Sequence, residues 1–285
     1  MASPPVRDAA TVMLVRDTDA GMEVFMLRRN LNSDFVGGAY VFPGGAVDEA
    51  DRHEDLERLC RGLSDDGASQ RLDVASGGLA FWVAAVRECF EEAGVLLALR
   101  DGEDELISFA DPEIHQRFVA HRAAVDAGDR RLVEICEMEH LTLACDRIHY
   151  FSHWITPEGP PRRYDTRFFV AAAPAEQVPL HDDRETIANI WVRPADALER
   201  HERGELDLIF PTIRNLQAIG RFDRSADLLA AAEQIGEVPT MLPRVVQDGG
   251  GFRILLPGDE GYDDGAAGMP EGSPMPGRAG GPSYS

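Results

Sequence analysis

Residues 10–15 and 22–27 are two short, mostly apolar runs that read as strands. The polar turn Asp17-Thr18-Asp19-Ala20-Gly21 separates them, which predicts an early β-hairpin. A different rhythm appears later. Leu79, Trp82, Val83, Val86, Phe90 and Ala93 recur at steps of three and four, the stripe of a helix with one face in a core. A Ser76-Gly77-Gly78 break precedes it, and Gly94 suits a left-handed cap at its end. Glu88, Glu91 and Glu92 fall on the opposite face.

The remaining pattern supplies the frame. Residues 39–42 read as a short strand entering the turn Phe42-Pro43-Gly44-Gly45. Leu56, Leu59, Cys60 and Leu63 predict an amphipathic helix over 51–63, then a loop over 64–69. Residues 95–99 continue as a strand or as the helix end. A helical hairpin is predicted over 111–138, opened by Asp111-Pro112. Strands follow at 148–154, 167–172 and 187–192, then helices at 194–203, 211–219 and 226–234. A terminal β-hairpin is expected over 241–256. Residues 1–8 read as a flexible end, and 262–285, rich in Gly, Pro and Ser, as a disordered tail.

Composition narrows the classes of function. A chain of 285 residues with 44% hydrophobic content is long enough for one well-filled domain with additions. Its formal charge of −22 would repel a nucleic-acid backbone, so nucleic acid is excluded as a partner. The four cysteines show no CxxC pairing and read as reduced, buried thiols of a cytoplasmic protein. The first ten residues lack a basic stretch followed by an apolar run, and no run of about eighteen apolar residues occurs. Neither a signal peptide nor a membrane span is therefore expected.

Candidate chemistry sits on the central helix. Three carboxylates at i, i+3 and i+4 repel one another unless a cation lies among them, and Arg87 offsets only part of that charge. Hard oxygen donors at this density suit Mg²⁺ or Mn²⁺. The small Ala84 and Ala85 beside them read as room for a ligand, and the glycine turn forty residues earlier lets backbone approach one.

Gly45, five residues, Asp51, an interval, then Arg87-Glu88-Cys89-Phe90-Glu91-Glu92-Ala93-Gly94-Val95 resembles the Nudix box, G-x5-E-x7-R-E-U-x-E-E-x-G-U with U apolar. Asp51 stands where that pattern has Glu, and 35 residues separate it from Arg87 where the pattern has seven. With Leu27-Arg28-Arg29, the run into Phe42-Pro43-Gly44-Gly45, and Arg163-Tyr164-Asp165-Thr166-Arg167, the chain looks like the peroxisomal coenzyme A diphosphatase branch and its bacterial relatives.

The resemblance implies an α/β/α sandwich with a mixed sheet over residues 9–240. It would carry an insertion within the box at 52–78 and a helical insertion at 111–138, while the C-terminal hairpin, over 241–261, lies largely outside the resemblance. It implies metal ligation by Glu88, Glu91, Glu92 and the Gly45 carbonyl, with Arg87 orienting Glu91 and bracing the loop through Asp51. The general base would come from the box or from a later acidic residue, Glu185 first, then Asp182 and Asp183. Gly44, Gly45, Arg28 and Arg29 would contact substrate, with alternation favouring Arg29 over Arg28. Arg163, Asp165 and Arg167 read as an internal ion-pair ladder.

The expected reaction is hydrolysis of the pyrophosphate of coenzyme A or an acyl thioester to 3′,5′-ADP and a 4′-phosphopantetheine product. The alternatives are a pyrophosphatase for NADH, ADP-ribose or nucleotide sugars, and a metabolite-sensing domain that binds without cutting. The partner expected is a small nucleotide-derived molecule, with no membrane and with a homodimer as a further expectation.

Overall fold

In the first long strand the consecutive residues Val12, Met13, Leu14 and Val15 are all fully buried. A strand can be apolar on both sides only if both faces of its sheet are covered. The computed structural model describes residues 4–31, 37–182, 185–248 and 251–263, and it shows that covering. β1 (Val6–Thr18) and β2 (Gly21–Arg29) form the predicted hairpin, joined by β3 (Tyr40–Val41), β4 (Gly44–Ala46), β7 (His149–Ile155), β8 (Arg163–Ala172), β9 (Thr186–Val192) and β10 (Thr240–Met241). The sheet runs β10-β7-β8-β1-β2-β3, with β4 on β1 and β9 on β2. β1 and β8 lie parallel while β1 and β2 are antiparallel, so the sheet is mixed.

Successive side chains of a strand point to opposite faces, and the two cores follow that rule. Ala10, Val12 and Leu14 join Phe25 and Leu27 against α2 (Leu79–Ala93). Met13 and Val15 join Val24 and Met26 beneath α5 (Pro194–Glu202), α6 (Phe210–Ile219) and α7 (Ser225–Glu233). The result is the α/β/α sandwich that the resemblance implied.

α2 departs from the amphipathic reading. All of its residues except Glu88 and Glu91 are buried, because the two helical additions cover the side away from the sheet. α1 (Asp65–Leu72) lies on one side of it. α3 (Pro112–Asp126) and α4 (Leu132–Glu139) lie on the other, tied down by the small sheet of β5 (Ala98–Arg100) and β6 (Leu141–Leu143). Ala84 and Ala85 are accordingly fully buried and offer no room to a ligand.

Several local expectations change for identifiable reasons. The loop expected at 64–69 is the start of α1: the Ser64 hydroxyl accepts from Gly67 N–H at 3.2 Å, an N-cap that Gly67 disguises in sequence. The helix expected over 51–63 is two 3₁₀ segments, Glu49–Arg52 and Glu54–Leu59, meeting at the extended His53. The glycine turn expected at 42–45 becomes β4, which pairs Gly44 and Gly45 with Thr11 and Ala10. Residues 6–8, read as a flexible end, extend β1 and pair with Arg163, Tyr164 and Asp165.

β11 (Arg244–Asp248) and β12 (Gly251–Leu255) form the predicted terminal hairpin. Tyr262, assigned to the disordered tail, donates its hydroxyl to the Leu242 carbonyl at 2.8 Å. Residues 264–285 lie outside the described residues. Among the described residues no helix is long and apolar enough to cross a membrane.

Candidate active site

Arg87 organises the site. It emerges from the middle of α2 with its guanidinium buried, and donates Nε to Asp51 Oδ1 and Nη2 to Asp51 Oδ2, both at 2.9 Å. The same Nη2 reaches the Ala46 carbonyl at 2.8 Å. Nη1 lies 2.8 Å from Glu88 Oε1 and 3.1 Å from Glu91 Oε2. Burial alone would pull Arg87 down, but the Asp51 bonds and the charges of Glu88 and Glu91 outweigh it and hold the group above its ordinary value. Asp51 is 3% exposed, and its Oδ2 also accepts from Asp48 N–H at 2.8 Å. The shorter carboxylate thus spans a bidentate fork across 36 positions of chain.

The intervening segment is a closed excursion. Asp65 at the start of α1 accepts from Gly77 N–H and Leu79 N–H at 2.8 and 3.0 Å, which returns the chain to the first turn of α2. The cost of closing a loop grows only slowly with its length. The excursion can therefore be long without separating Asp51 from Arg87.

The three glutamates do not stand side by side. Glu88 and Glu91 share Arg87, while Glu92 turns to β4, where its Oε2 accepts from Gly44 N–H at 2.9 Å. Among the described residues no three His, Cys, Asp or Glu side chains are already gathered as a metal centre. All three nevertheless line one cavity of about 410 Å³ together with Gly44, Gly45, Arg29 and Glu185.

Burial pushes the Glu88 carboxyl up to about 8 and the Glu91 carboxyl up to about 7. It raises Glu92 well above the usual range, with the Glu88 charge adding to the effect. Carboxyl groups this short of positive charge, on a wall of hard oxygen donors, suit a divalent cation. Gly45 fits the same picture: a Cβ there would lie 2.5 Å from Glu88 Oε1, so a larger residue would push that carboxylate aside.

A further arginine fixes the end of α2. Gly94 has φ +68, and the helix's last carbonyls are met by Arg122 from α3, which bonds Glu91 O at 2.8 Å and Glu92 O at 2.9 Å. A cation at a helix C-terminus is favoured by the dipole. Here it also sets the backbone that carries two of the glutamates. The same guanidinium holds Leu180 O at 2.9 Å, tying in the segment that leads to Glu185. The helical addition over 112–139 thus does more than pack against the domain.

Arg29 faces the cavity. Arg28, expected beside it as a substrate contact, does not join it: strand alternation turns Arg28 toward the Gly38 carbonyl, at 3.4 Å, and the Tyr40 ring. Asp182 and Glu185 both line the cavity. Asp182 already accepts from Glu185 N–H at 3.1 Å and Thr186 N–H at 2.8 Å, so it shapes the loop that presents Glu185. Asp183 lies outside the described residues. In the expected ladder Asp165 pairs with Arg167 and with His153. Arg163 instead donates to the Thr156 carbonyl at 3.1 Å.

The cavity also contains Asp48, Asp126 and Arg162, which the sequence reading did not single out. Asp126 closes a helix whose pattern signals only packing. Arg162 adjoins the Pro160-Pro161 turn, and that position was the one available hint.

A mixed sheet between helical layers, with a glycine strand laid against an arginine-braced glutamate helix, defines a Nudix hydrolase. The comparisons agree: the family model described as the NUDT19 Nudix domain matches residues 6–219, and the chain belongs to that family. It is 29% identical over 278 residues to the Gallus gallus protein named acyl-coenzyme A diphosphatase NUDT19, covering 85% of this chain and 73% of that one. The Homo sapiens protein of the same name is also 29% identical, over 274 residues, covering 85% and 72%. Among solved structures, a Nudix hydrolase from Alicyclobacillus acidocaldarius superposes with a TM-score of 0.64 at 26% identity, covering 80% of this chain and 97% of that one.

Proposed function

We propose that this hydrolase splits the pyrophosphate bond of coenzyme A or its acyl thioesters, releasing 3′,5′-ADP and a 4′-phosphopantetheine product. The observation that carries the reading is that its NUDT19-named relatives align over 85% of the chain, and the matching family model spans every residue that lines the cavity. Its chemistry is supported by a cavity that offers both the carboxylates and the guanidinium such a reaction needs.

Glu88, Glu91, Glu92 and the Gly45 carbonyl would hold Mg²⁺ or Mn²⁺. When bound, the metal supplies charge neutralisation on the phosphoryl oxygens and lowers the pKa of a bound water. The chain's own residues do the rest. Arg87 keeps Glu88 and Glu91 in register, and Asp51 keeps Arg87 in place. Arg29 presents a planar fork to a phosphate entering the cavity. Glu185, which lines the same cavity, would take the proton of an attacking water.

The test is a panel of coenzyme A, an acyl thioester, NADH and ADP-ribose with purified protein and Mg²⁺ or Mn²⁺, read by product chromatography. The expected result is 3′,5′-ADP from the first two, abolished by EDTA and restored by excess metal. Brisk cleavage of NADH or ADP-ribose with intact coenzyme A would overturn the substrate assignment. Saturable binding with no turnover of any of the four would point to a sensor.

A further inference from the structure

The active-site cavity does not end at its charged wall. Tyr164, Thr166 and Phe168, alternate residues on one face of β8, line it and then continue, with Ile209, into a second cleft of about 90 Å³. The far side of that cleft is Trp154 of β7, Phe210 at the start of α6, and Val245 and Ile254 of the terminal hairpin. Among the described residues, no side chain charged at neutral pH lines it. In a chain of formal charge −22, an uncharged cleft opening from a cavity walled by glutamates and arginines is a marked change of chemistry over a short distance.

The sheet register gives that distance. Ala46 pairs with Ala9, Ala9 with Thr166, Thr166 with Trp154, and Trp154 with Met241. One row of residues therefore runs from the glycine strand beside Glu88 to the segment that leads into the hairpin. The step from β4 to β7 is three strand spacings, about 14 Å at roughly 4.8 Å each. A ligand seated at the glycine strand by an anionic group reaches the apolar cleft only through an extended arm of that length. Its far end must then be apolar.

We infer that the cleft between Trp154, Phe210 and the hairpin β11–β12 is the subsite for the hydrocarbon tail of an acyl thioester. The hairpin, which lies beyond the matched residues 6–219, thereby sets the discrimination between acylated and free substrate. This rests on the coenzyme A reading above and adds the acyl preference to it. Its basis is the continuity of the two cavities through Tyr164, Thr166, Phe168 and Ile209, together with the loss of all charge beyond them. Each methylene seated there leaves water and tightens binding a few-fold. The preference should therefore rise with chain length until the cleft is filled.

Ile254 is only partly buried, so it can be changed with little risk to folding. The experiment compares full-length wild type, Ile254→Asp and Ile254→Trp on free coenzyme A and on a straight-chain eight-carbon acyl thioester, with melting temperature and light-scattering mass recorded for each. The expected result is at least a tenfold rise in KM for the thioester in both variants, one by charge and one by filling the cleft. The values for free coenzyme A should stay within twofold. Equal effects on both substrates, or none, would overturn the subsite while leaving the parent activity intact. A change of mass in Ile254→Asp without a change of discrimination would overturn it in favour of contact with a second copy. If wild type splits no coenzyme A species, the parent reading itself has failed, and the subsite with it.

Discussion

Asp51 and Arg87 form a pair whose members cannot be removed one at a time without cost. Both are buried, and although Arg87 also bonds Glu88 and Glu91, Asp51 alone takes two of its N–H groups. Asp51→Ala should therefore cost about 3–5 kcal/mol, the usual penalty for stranding one half of a buried pair, measurable by urea denaturation. It should also lower turnover, because Glu88 and Glu91 lose their common anchor. Glu91→Gln makes the opposite prediction. It relieves a carboxyl that burial pushes up, so melting temperature holds or rises while kcat falls by about 10²-fold or more, a loss on the scale of one transition-state electrostatic contact. A variant with undiminished turnover would show that catalysis does not run through this helix.

Asp165 gives a prediction in pH. Burial alone pushes its carboxyl up, but the His153 hydrogen bond and the Arg167 charge outweigh it and hold the group below its ordinary value of 3.8. A depressed folded value contributes stability that is present above the unfolded value and lost as pH falls through the folded one. Asp165→Asn should therefore melt lower than wild type at pH 7, with the gap narrowing as pH falls from about 4 and closing below the lowered folded value, where both forms are uncharged. A gap that persists undiminished in acid would assign its cause to packing.

At the scale of elements, the decisive contact is the one α3 makes with the end of α2. Arg122→Met removes three bonds from a guanidinium to carbonyls, and bonds to charged groups contribute about 1.5–3 kcal/mol apiece. We expect a loss of about 3 kcal/mol or more, with kcat reduced although Arg122 itself does not line the cavity. Arg122→Lys should rescue little, since an ammonium cannot fork to several carbonyls.

This contact also marks where sequence reading stops. α2 and its glutamates were legible because a helix repeats every few residues and the whole motif lies within one stretch. The hairpin of β1 and β2 was legible for the same reason. Arg122 was not, because its three acceptors are carbonyls 30 or more positions away, and a carbonyl leaves no mark in a sequence. The burial of Ala84 and Ala85 was hidden likewise, because the core that encloses them is assembled from segments distant in the chain. α1 was missed because Gly67 outweighed the Ser64 cap.

Across the whole molecule, the two faces of one sheet divide the labour. The face under α2 carries the catalytic helix. The other carries α5 to α7 and runs out to the terminal hairpin, where Met241 and Leu256 pack against that second core. Deleting residues 240 onward would bare Trp154 and Phe210 and remove the pairing of β10 with β7. Such a truncation should melt several degrees lower than the full chain, read by calorimetry, and an unchanged melting temperature would show the hairpin to be a passive appendage. The hairpin itself was plain from its alternation around a glycine cluster. Its place beside the active site was not, because that follows from which row of the sheet Trp154 occupies.

The brace between Asp51 and Arg87 also bears on how distant kin are recognised. Tallying the gap between glycine and arginine rejects a protein like this one, since the tally measures the contour of the polypeptide. What the fold requires is the meeting of an acid with a guanidinium. A search that asks whether some carboxylate can fold back onto that guanidinium, whatever the detour, would recover members whose detours are longer still.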